Sequence, residues 1–181
     1  MAIEIQEPWL SFLRDVDRTL GHQVEIHCLG AFVLGVLWGL PRPTGDVDIA
    51  EIRPPTAAGE LMRVAGQGSG LATKHRVYFQ RVSIAEYPEG YASRLLDITP
   101  DCLHSIRLMA FEVHDLALTK LARNSPRDRA DIEFLAKKGA LDRRILQERF
   151  NVEMGPYVLN EARDAATLSL WASEFFGDQQ G

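Results

Sequence analysis

The sequence lacks the composition of several protein classes. Its 181 residues include only two cysteines, Cys28 and Cys102, so it is not a small protein held together by disulfides, and we expect both to be reduced packing residues. It has 14 Gly and 9 Pro, too few for a fibrous chain, and its 46% hydrophobic content is too high for a disordered one. We therefore expect one compact domain, or a domain with a small appendage, with a substantial core.

The sequence also lacks a basic excess. Lys and Arg number 20 against 25 Asp and Glu, which gives a net charge of −5, and both halves of the chain are mildly acidic. A protein that binds nucleic acid through non-specific phosphate contacts normally carries a basic excess or a basic stripe. The charge balance therefore argues against long nucleic acids as the main partner.

No segment is typical of secretion or of a membrane span. The first residues lack the basic and apolar regions of a signal peptide. The longest apolar run, residues 31–40, is about half of the roughly 20 residues that a spanning helix needs. These absences predict a cytoplasmic protein without a membrane partner.

The hydrophobic pattern predicts an α/β core followed by a helical tail. Apolar residues at helical spacing predict a helix over 7–20, and an apolar stretch without a polar face predicts a buried helix over 31–40. Strands are expected at 24–29, 46–52, 76–84, 95–98 and 106–113, and further helices at 57–65, 115–124, 126–138, 142–151 and 160–176. We expect residues 1–113 to form the core and residues 114–181 to form a helical region packed on it.

Asp46 and Asp48 are the strongest candidates for a metal site. The pair opens a predicted strand, where residues two apart point to the same face and lie about 7 Å apart along the backbone. A second pair, Asp15 and Asp17, lies in a predicted helix, where residues two apart point in different directions and cannot converge on one ligand. Paired carboxylates supply the oxygen ligands that Mg²⁺ prefers. The alternative is a solvent-facing turn and strand start after Thr44.

Gly30 marks a second candidate feature, a strand that ends where a helix begins. The N-terminus of a helix presents unpaired backbone N–H groups and a positive dipole end, and a glycine lets phosphate oxygens approach them. Strand, glycine, helix and a second strand with paired aspartates therefore predict a phosphate-binding turn that faces a metal site. The alternative is that Gly30 only permits an unusual backbone angle or close packing.

These residues, in this order, resemble the nucleotidyltransferase superfamily typified by DNA polymerase β. The superfamily pattern is a Gly followed by Gly or Ser, then a gap, then Asp-x-Asp, and here Gly30-Ala31 is followed by 14 residues and Asp46-Val47-Asp48. Three further segments are similar to a bacterial family of uncharacterised nucleotidyltransferase-like proteins, which is related to abortive-infection toxins of toxin–antitoxin systems. These segments are Tyr87–Leu95, His114–Arg123 and Arg127–Ile132.

The resemblance implies a nucleotidyltransferase-type fold, a short mixed sheet flanked by helices with a helical C-terminal extension. It implies Mg²⁺-dependent transfer of a nucleoside monophosphate from a nucleoside triphosphate to an acceptor hydroxyl on a tRNA, a protein or a small molecule. Asp46 and Asp48 are then the catalytic metal ligands. The residues expected to contact the nucleotide are Gly30, Ala31, Thr44 and Lys120.

Two residues depart from the superfamily pattern. Ala31 has no hydroxyl to offer to a phosphate, and Gln80 stands where the third carboxylate of active members is expected. Glutamine can neither accept a proton nor neutralise Mg²⁺, and Asp97 and Glu86 are the candidates to replace it. The alternative function is therefore a catalytically degenerate domain that binds nucleotide or a partner protein, as a toxin–antitoxin component binds its antitoxin-like partner.

The tail motifs also have structural alternatives. Ser125-Pro126-Arg127-Asp128 has the residues of a helix N-cap with a capping box. Lys120 lies on a predicted helix, where a solvated charge is the default, and Asp131 is expected to be exposed and to pair with Arg127. The glycine-rich segment 66–70 lacks the Lys-Ser/Thr ending of a P-loop and is expected to be a surface loop.

Overall fold

The computed structural model describes residues 4–83 and 86–176, which fall into two compact units. One, here called the sheet unit, spans Met1–Ser83 and Leu95–Phe111. The other, here called the helical unit, spans Ile84–Arg94 and Glu112–Gly181.

The sheet unit is built on one mixed sheet. Its helices are α1 (Trp9–Thr19), α2 (Gly30–Trp38), α3 (Ala58–Ala65) and α4 (Gly70–His75), and its strands are β1 (Val24–Leu29), β2 (Asp46–Arg53), β3 (Tyr78–Arg81), β4 (Leu96–Asp97) and β5 (Ile106–Ala110). The strand order is β3-β2-β1-β5-β4. The pairs β1/β2 and β4/β5 are antiparallel, and β1/β5 and β2/β3 are parallel. An open five-stranded mixed sheet with helices, followed by a helical C-terminal region, confirms the predicted fold class.

One face of the sheet forms the core of this unit, because alternate strand residues are apolar. Ile26, Ile49 and Leu108 are fully buried on that face. Helix α1 packs Phe12 edge to face against Phe79 of β3, with the ring centroids 5.3 Å apart. The intervening strand residues, which include the two aspartates of β2, project from the opposite face.

Asp17 fastens α1 to the start of β5. Its buried carboxylate accepts backbone N–H bonds of 2.7 to 3.0 Å from His104, Ser105 and Ile106. Asp15 points elsewhere and pairs with side chains of α4. The prediction that Asp15 and Asp17 do not converge on one ligand is therefore confirmed.

The described residues of the helical unit form α5 (Val113–Leu118), α6 (Pro126–Lys137), α7 (Arg143–Arg149) and α8 (Glu161–Phe175). Helix α6 begins with the predicted capping box, since the Ser125 hydroxyl accepts the Asp128 N–H and the Asp128 carboxylate accepts the Ser125 N–H. Trp171 of α8 is fully buried and donates its indole N–H to Asn124. The tail is therefore a packed unit with its own core.

Local departures from the sequence pattern have local causes. The glycine-rich segment does not remain a loop to its end, because Ser69 accepts the N–H of Ala72 and starts α4. Helix α5 stops at Leu118, so Lys120 lies in a turn. Cys28 is a buried packing residue as expected, but Cys102 is exposed and its sulfur accepts a hydrogen bond from an arginine of α1.

Membrane-spanning length is not reached by any helix within residues 4–83 and 86–176. Their helices are too short or too polar to cross a bilayer.

Candidate active site

The turn from β1 into α2 is built around Gly30. Its φ of +81° lies in the left-handed region, which favours glycine. A Cβ on this residue would overlap Oδ2 of Asp48 and lie 3.1 Å from its Cγ. The absence of a side chain at Gly30 is therefore what lets the Asp48 carboxylate rest against the first residue of α2.

Strand β2 delivers both aspartates to one face. Asp48 is the register partner of Leu29, the last residue of β1, so it stands beside the turn. Val47 is fully buried on the opposite face, while Asp46 and Asp48 are half-buried. The structure thus brings together the glycine turn and the paired carboxylates that the sequence singled out.

The N-terminus of helix α2 lies at the Gly30 turn, next to the Asp48 carboxylate. Its N-cap residue is Leu29, whose extended backbone ends β1 and whose side chain makes no capping hydrogen bond. The first N–H groups of a helix have no partner inside the helix, and the dipole makes this end positive. The Asp48 carboxylate and any bound anion would share this positive end.

Thr44 holds the first aspartate. Its hydroxyl donates to Oδ1 of Asp46 at 2.6 Å, two residues further along the chain at the start of β2. A hydrogen bond to a carboxylate is stronger than one between neutral groups. Asp46 is therefore oriented by its own strand entry.

Burial raises the pKa of the Cys28 thiol far above its usual value, and the nearby Asp48 carboxylate raises it further. Cys28 thus stays protonated and is not a nucleophile for this site.

Strand β3 supplies the neighbours of the two aspartates. Tyr78 is in register with Asp46, and Gln80 is in register with Asp48, so these side chains share the polar face. The position beside Asp48 that the superfamily pattern fills with a carboxylate therefore carries an amide.

Asp97, one of the two candidates for a third carboxylate, does not lie beside Asp48 in the described sheet. Asp97 is on β4, three strand positions from β2 and so about 14 Å away at about 4.8 Å per strand, and it pairs there with Arg107. Glu86 belongs to the helical unit, where its Oε1 accepts the N–H of Leu159 at 2.8 Å.

The opposite end of the sheet has a cleft of about 650 Å³, lined by residues that include Glu25, Arg53, Asp97, His104 and Arg107. Arg107 already pairs there with Glu25 and Asp97. The cleft lies at the start of β1 and the end of β2, so the strands separate it from the glycine turn.

Lys120 makes an ion-pair cluster within the helical unit. It is 5% exposed, and its Nζ lies 2.8 Å from Asp131 and 3.3 Å from Asp128. The expectation that Asp131 is exposed is wrong, because this carboxylate is 2% exposed and faces Lys120. The contact of Lys120 with a nucleotide remains a prediction.

A second network in the helical unit joins two of the motif segments. Arg94 donates through Nε and Nη2 to both oxygens of Asp115, at 2.8 and 3.0 Å. These hydrogen bonds raise the pKa of the Arg94 guanidinium above its ordinary value. Asp115 is fully buried and also accepts from Arg149 at 3.0 Å. In the sequence, Arg94 and Asp115 stand out only as parts of two separate motif segments. No local pattern indicates that they pair.

Two carboxylates suit a magnesium ion that completes its coordination with phosphate oxygens and water. Mg²⁺ is commonly bound by one or two carboxylates plus substrate phosphates rather than by an all-protein cage. The part of the chain that the structure describes holds no cluster of three or more His, Cys, Asp or Glu arranged for a metal. Asp46 and Asp48 therefore fit a substrate-completed ion and do not form a closed structural metal site.

In a comparison with protein families, residues 27–179 match a family described as nucleotidyltransferase of unknown function (DUF6036). The match includes Gly30, both aspartates of β2 and nearly all of the helical unit. Neither the curated proteins nor the solved structures gave a match.

Proposed function

We propose that this chain, which belongs to the nucleotidyltransferase family of unknown function (DUF6036), transfers a nucleoside monophosphate from a nucleoside triphosphate to an acceptor hydroxyl. The observation that carries the proposal is the contact between Asp48 and Gly30, with Asp46 on the same face of β2. Asp48 thereby lies against the first residue of α2, whose N-terminal N–H groups can bind phosphate, and the pair of carboxylates can bind a metal.

In this proposal Asp46 and Asp48 hold Mg²⁺. When bound, the ion neutralises charge on the triphosphate and polarises the phosphorus that is attacked. The Gly30-Ala31 turn presents backbone N–H groups to the terminal phosphates, and Ala31 does so without a hydroxyl. Thr44 lies next to the first carboxylate, at the edge of the phosphate site.

The acceptor oxygen forms a bond to the α-phosphorus while the bond from that phosphorus to the bridging oxygen breaks and pyrophosphate leaves. The hydroxyl proton passes to water, because the amide of Gln80 has no basic atom to take it. Phosphoryl transfer depends more on positioning and charge neutralisation than on a base. In this proposal slow turnover depends on the two carboxylates and the turn, without a protein base.

The acidic net charge favours a small molecule or a protein hydroxyl over tRNA as the acceptor. The part assigned to Lys120 has the least support, because its ammonium group is buried between Asp128 and Asp131. A nucleotide phosphate would have to reach an ammonium group on a side chain that is 5% exposed.

A second candidate function is nucleotide or partner binding without turnover, as in a toxin–antitoxin component that acts through an antitoxin-like partner. The observation that favours it is Gln80, which occupies the register position beside Asp48. An amide there leaves only the two carboxylates of β2 to bind metal ions, whose charge would neutralise the triphosphate.

Binding and turnover can be separated in one experiment. Labelled triphosphates are titrated with and without Mg²⁺ into the wild-type chain, Asp46→Asn and Asp48→Asn, and pyrophosphate release is followed with a panel of acceptors. Asp15→Asn is the matched control, because it alters the other Asp-x-Asp pair of the same unit. We expect Mg²⁺-dependent binding that both β2 variants weaken and the control retains.

Pyrophosphate release by the wild type would support transfer, and binding without release across the panel would support the second function. Binding that ignores both β2 aspartates would contradict both functions at this site.

A further inference from the structure

We propose that Thr44 is a positioning residue, which fixes the Asp46 carboxylate for metal binding instead of contacting the nucleotide. The inference rests on the proposed function and deepens it. The observation behind it is the 2.6 Å hydrogen bond from the Thr44 hydroxyl to Oδ1 of Asp46.

A hydroxyl has one proton to donate. Because the Thr44 proton is directed to Asp46, it cannot at the same time be donated to a phosphate oxygen. Oδ1 of the carboxylate is then engaged with the protein, and Oδ2 would be the oxygen that binds a metal. Carboxylates that bind metals are commonly oriented in this way, by a hydrogen bond from a neighbouring protein group.

The segment that carries Thr44 is itself held in place. The carbonyl of Gly45 accepts the N–H of Tyr78 at 3.0 Å, so the residue between Thr44 and Asp46 is already tied to β3. Thr44 is half-buried. The hydrogen bond to Asp46 therefore forms from a fixed backbone and costs little further ordering.

The two aspartates are thus positioned by different means. Asp48 is placed by its close approach to Gly30, whereas Asp46, two residues nearer the start of β2, depends on a side-chain hydrogen bond. Removing the hydroxyl should loosen only the first ligand. Loss of such an orienting partner typically weakens metal affinity by about 10- to 100-fold.

The test measures binding of Mn²⁺ alone, as a spectroscopic substitute for Mg²⁺, by the loss of the free-ion signal in electron paramagnetic resonance. The full chain is compared with Thr44→Val, which keeps the shape without the hydroxyl, and with Thr44→Ser, which keeps the hydroxyl. Asp46→Asn reports the site itself. Thr73→Val removes a hydroxyl from exposed α4 of the same unit and serves as the control.

We expect Thr44→Val to bind Mn²⁺ about 10-fold more weakly or worse, while Thr44→Ser and Thr73→Val match the wild type. Wild-type affinity in Thr44→Val, with clear weakening in Asp46→Asn, would overturn the positioning role and leave the proposed function standing. Equal losses in Thr44→Val and Thr44→Ser would also overturn it, since the hydroxyl would then not be the cause.

Unchanged Mn²⁺ affinity in Asp46→Asn would instead reject the metal site, and with it both proposals. Thermal unfolding of every variant without metal shows whether a loss of affinity follows a loss of folding. A fall in affinity of Thr44→Val that is explained by unfolding counts against the positioning role.

Discussion

Replacing Gly30 with alanine tests the contact on which the candidate site depends. The alanine must adopt a φ of +81°, which costs an L residue about 1–2 kcal/mol. Its Cβ must also push the Asp48 carboxylate aside, and overpacking of this kind typically costs about 1–3 kcal/mol. We therefore expect Gly30→Ala to lower the free energy of unfolding by about 2–5 kcal/mol.

Gly39, at the other end of the same helix, separates the two costs. Its φ is +68°, but a Cβ there would meet nothing within 4 Å. Gly39→Ala should therefore cost only the backbone strain, about 1–2 kcal/mol. The two variants are compared by urea denaturation and by thermal unfolding, where about 1 kcal/mol corresponds to about 2–4 °C for a chain of this size.

The excess cost at Gly30 should disappear when the carboxylate is removed. In an Asp48→Ala background, Gly30→Ala should cost little more than Gly39→Ala, because the overlapping Oδ2 and Cγ atoms are gone. Equal costs for Gly30→Ala in both backgrounds, or equal costs for the two glycines in the wild type, would refute the close packing of Asp48 on the turn.

Three further outcomes are expected. Asp115→Ala leaves the guanidinium groups of Arg94 and Arg149 without their shared buried partner, and should lower the free energy of unfolding by about 3–5 kcal/mol in urea denaturation. Glu174→Ala breaks an exposed ion pair and should lower it by about 1 kcal/mol or less. Equal losses of stability in the two variants would contradict this expectation. Ser125→Ala should cost about 0.5–2 kcal/mol in the same assay, and no loss would refute the cap. Burial alone would raise the pKa of Glu112, but hydrogen bonds lower it to about 2, so its stabilisation is complete above its ordinary value of 4.5 and is lost as the pH falls toward 2. As the pH is lowered from 4.5 toward 2, the melting temperature of Glu112→Gln should fall less steeply than that of the wild type. Parallel curves for the two proteins would contradict a stabilising role of the ionised Glu112.

The features that depend on local backbone geometry could be predicted from the sequence. Residues two apart on any strand share a face, so Asp46 and Asp48 were bound to point the same way once β2 was recognised. The end of β1 at a glycine likewise predicted the turn into α2. The Ser125 capping box is local as well, because all of its hydrogen bonds join residues three apart.

The features that depend on distant partners could not be predicted. Lys120 was placed on a helix that in fact ends at Leu118, and its partner Asp131 is eleven residues away on α6. Strand order is set by pairing between segments far apart in the chain, which is why Asp97 lies at the far edge of the sheet. Hydrophobic periodicity carries no information on either question.

The three N–H bonds that Asp17 accepts also bear on synthesis and folding of the chain. The donors are residues 104–106, so this anchor of α1 forms only after the ribosome has made the start of β5, which is also the second neighbour of β1. In a nascent chain that ends at Ser83, β1 pairs with β2 but its other edge has no partner strand, and the Asp17 carboxylate has no N–H donors. The sheet unit is therefore complete only when the chain has been made up to Phe111. A fragment that ends before β5 should fold poorly and be cleaved readily by proteases.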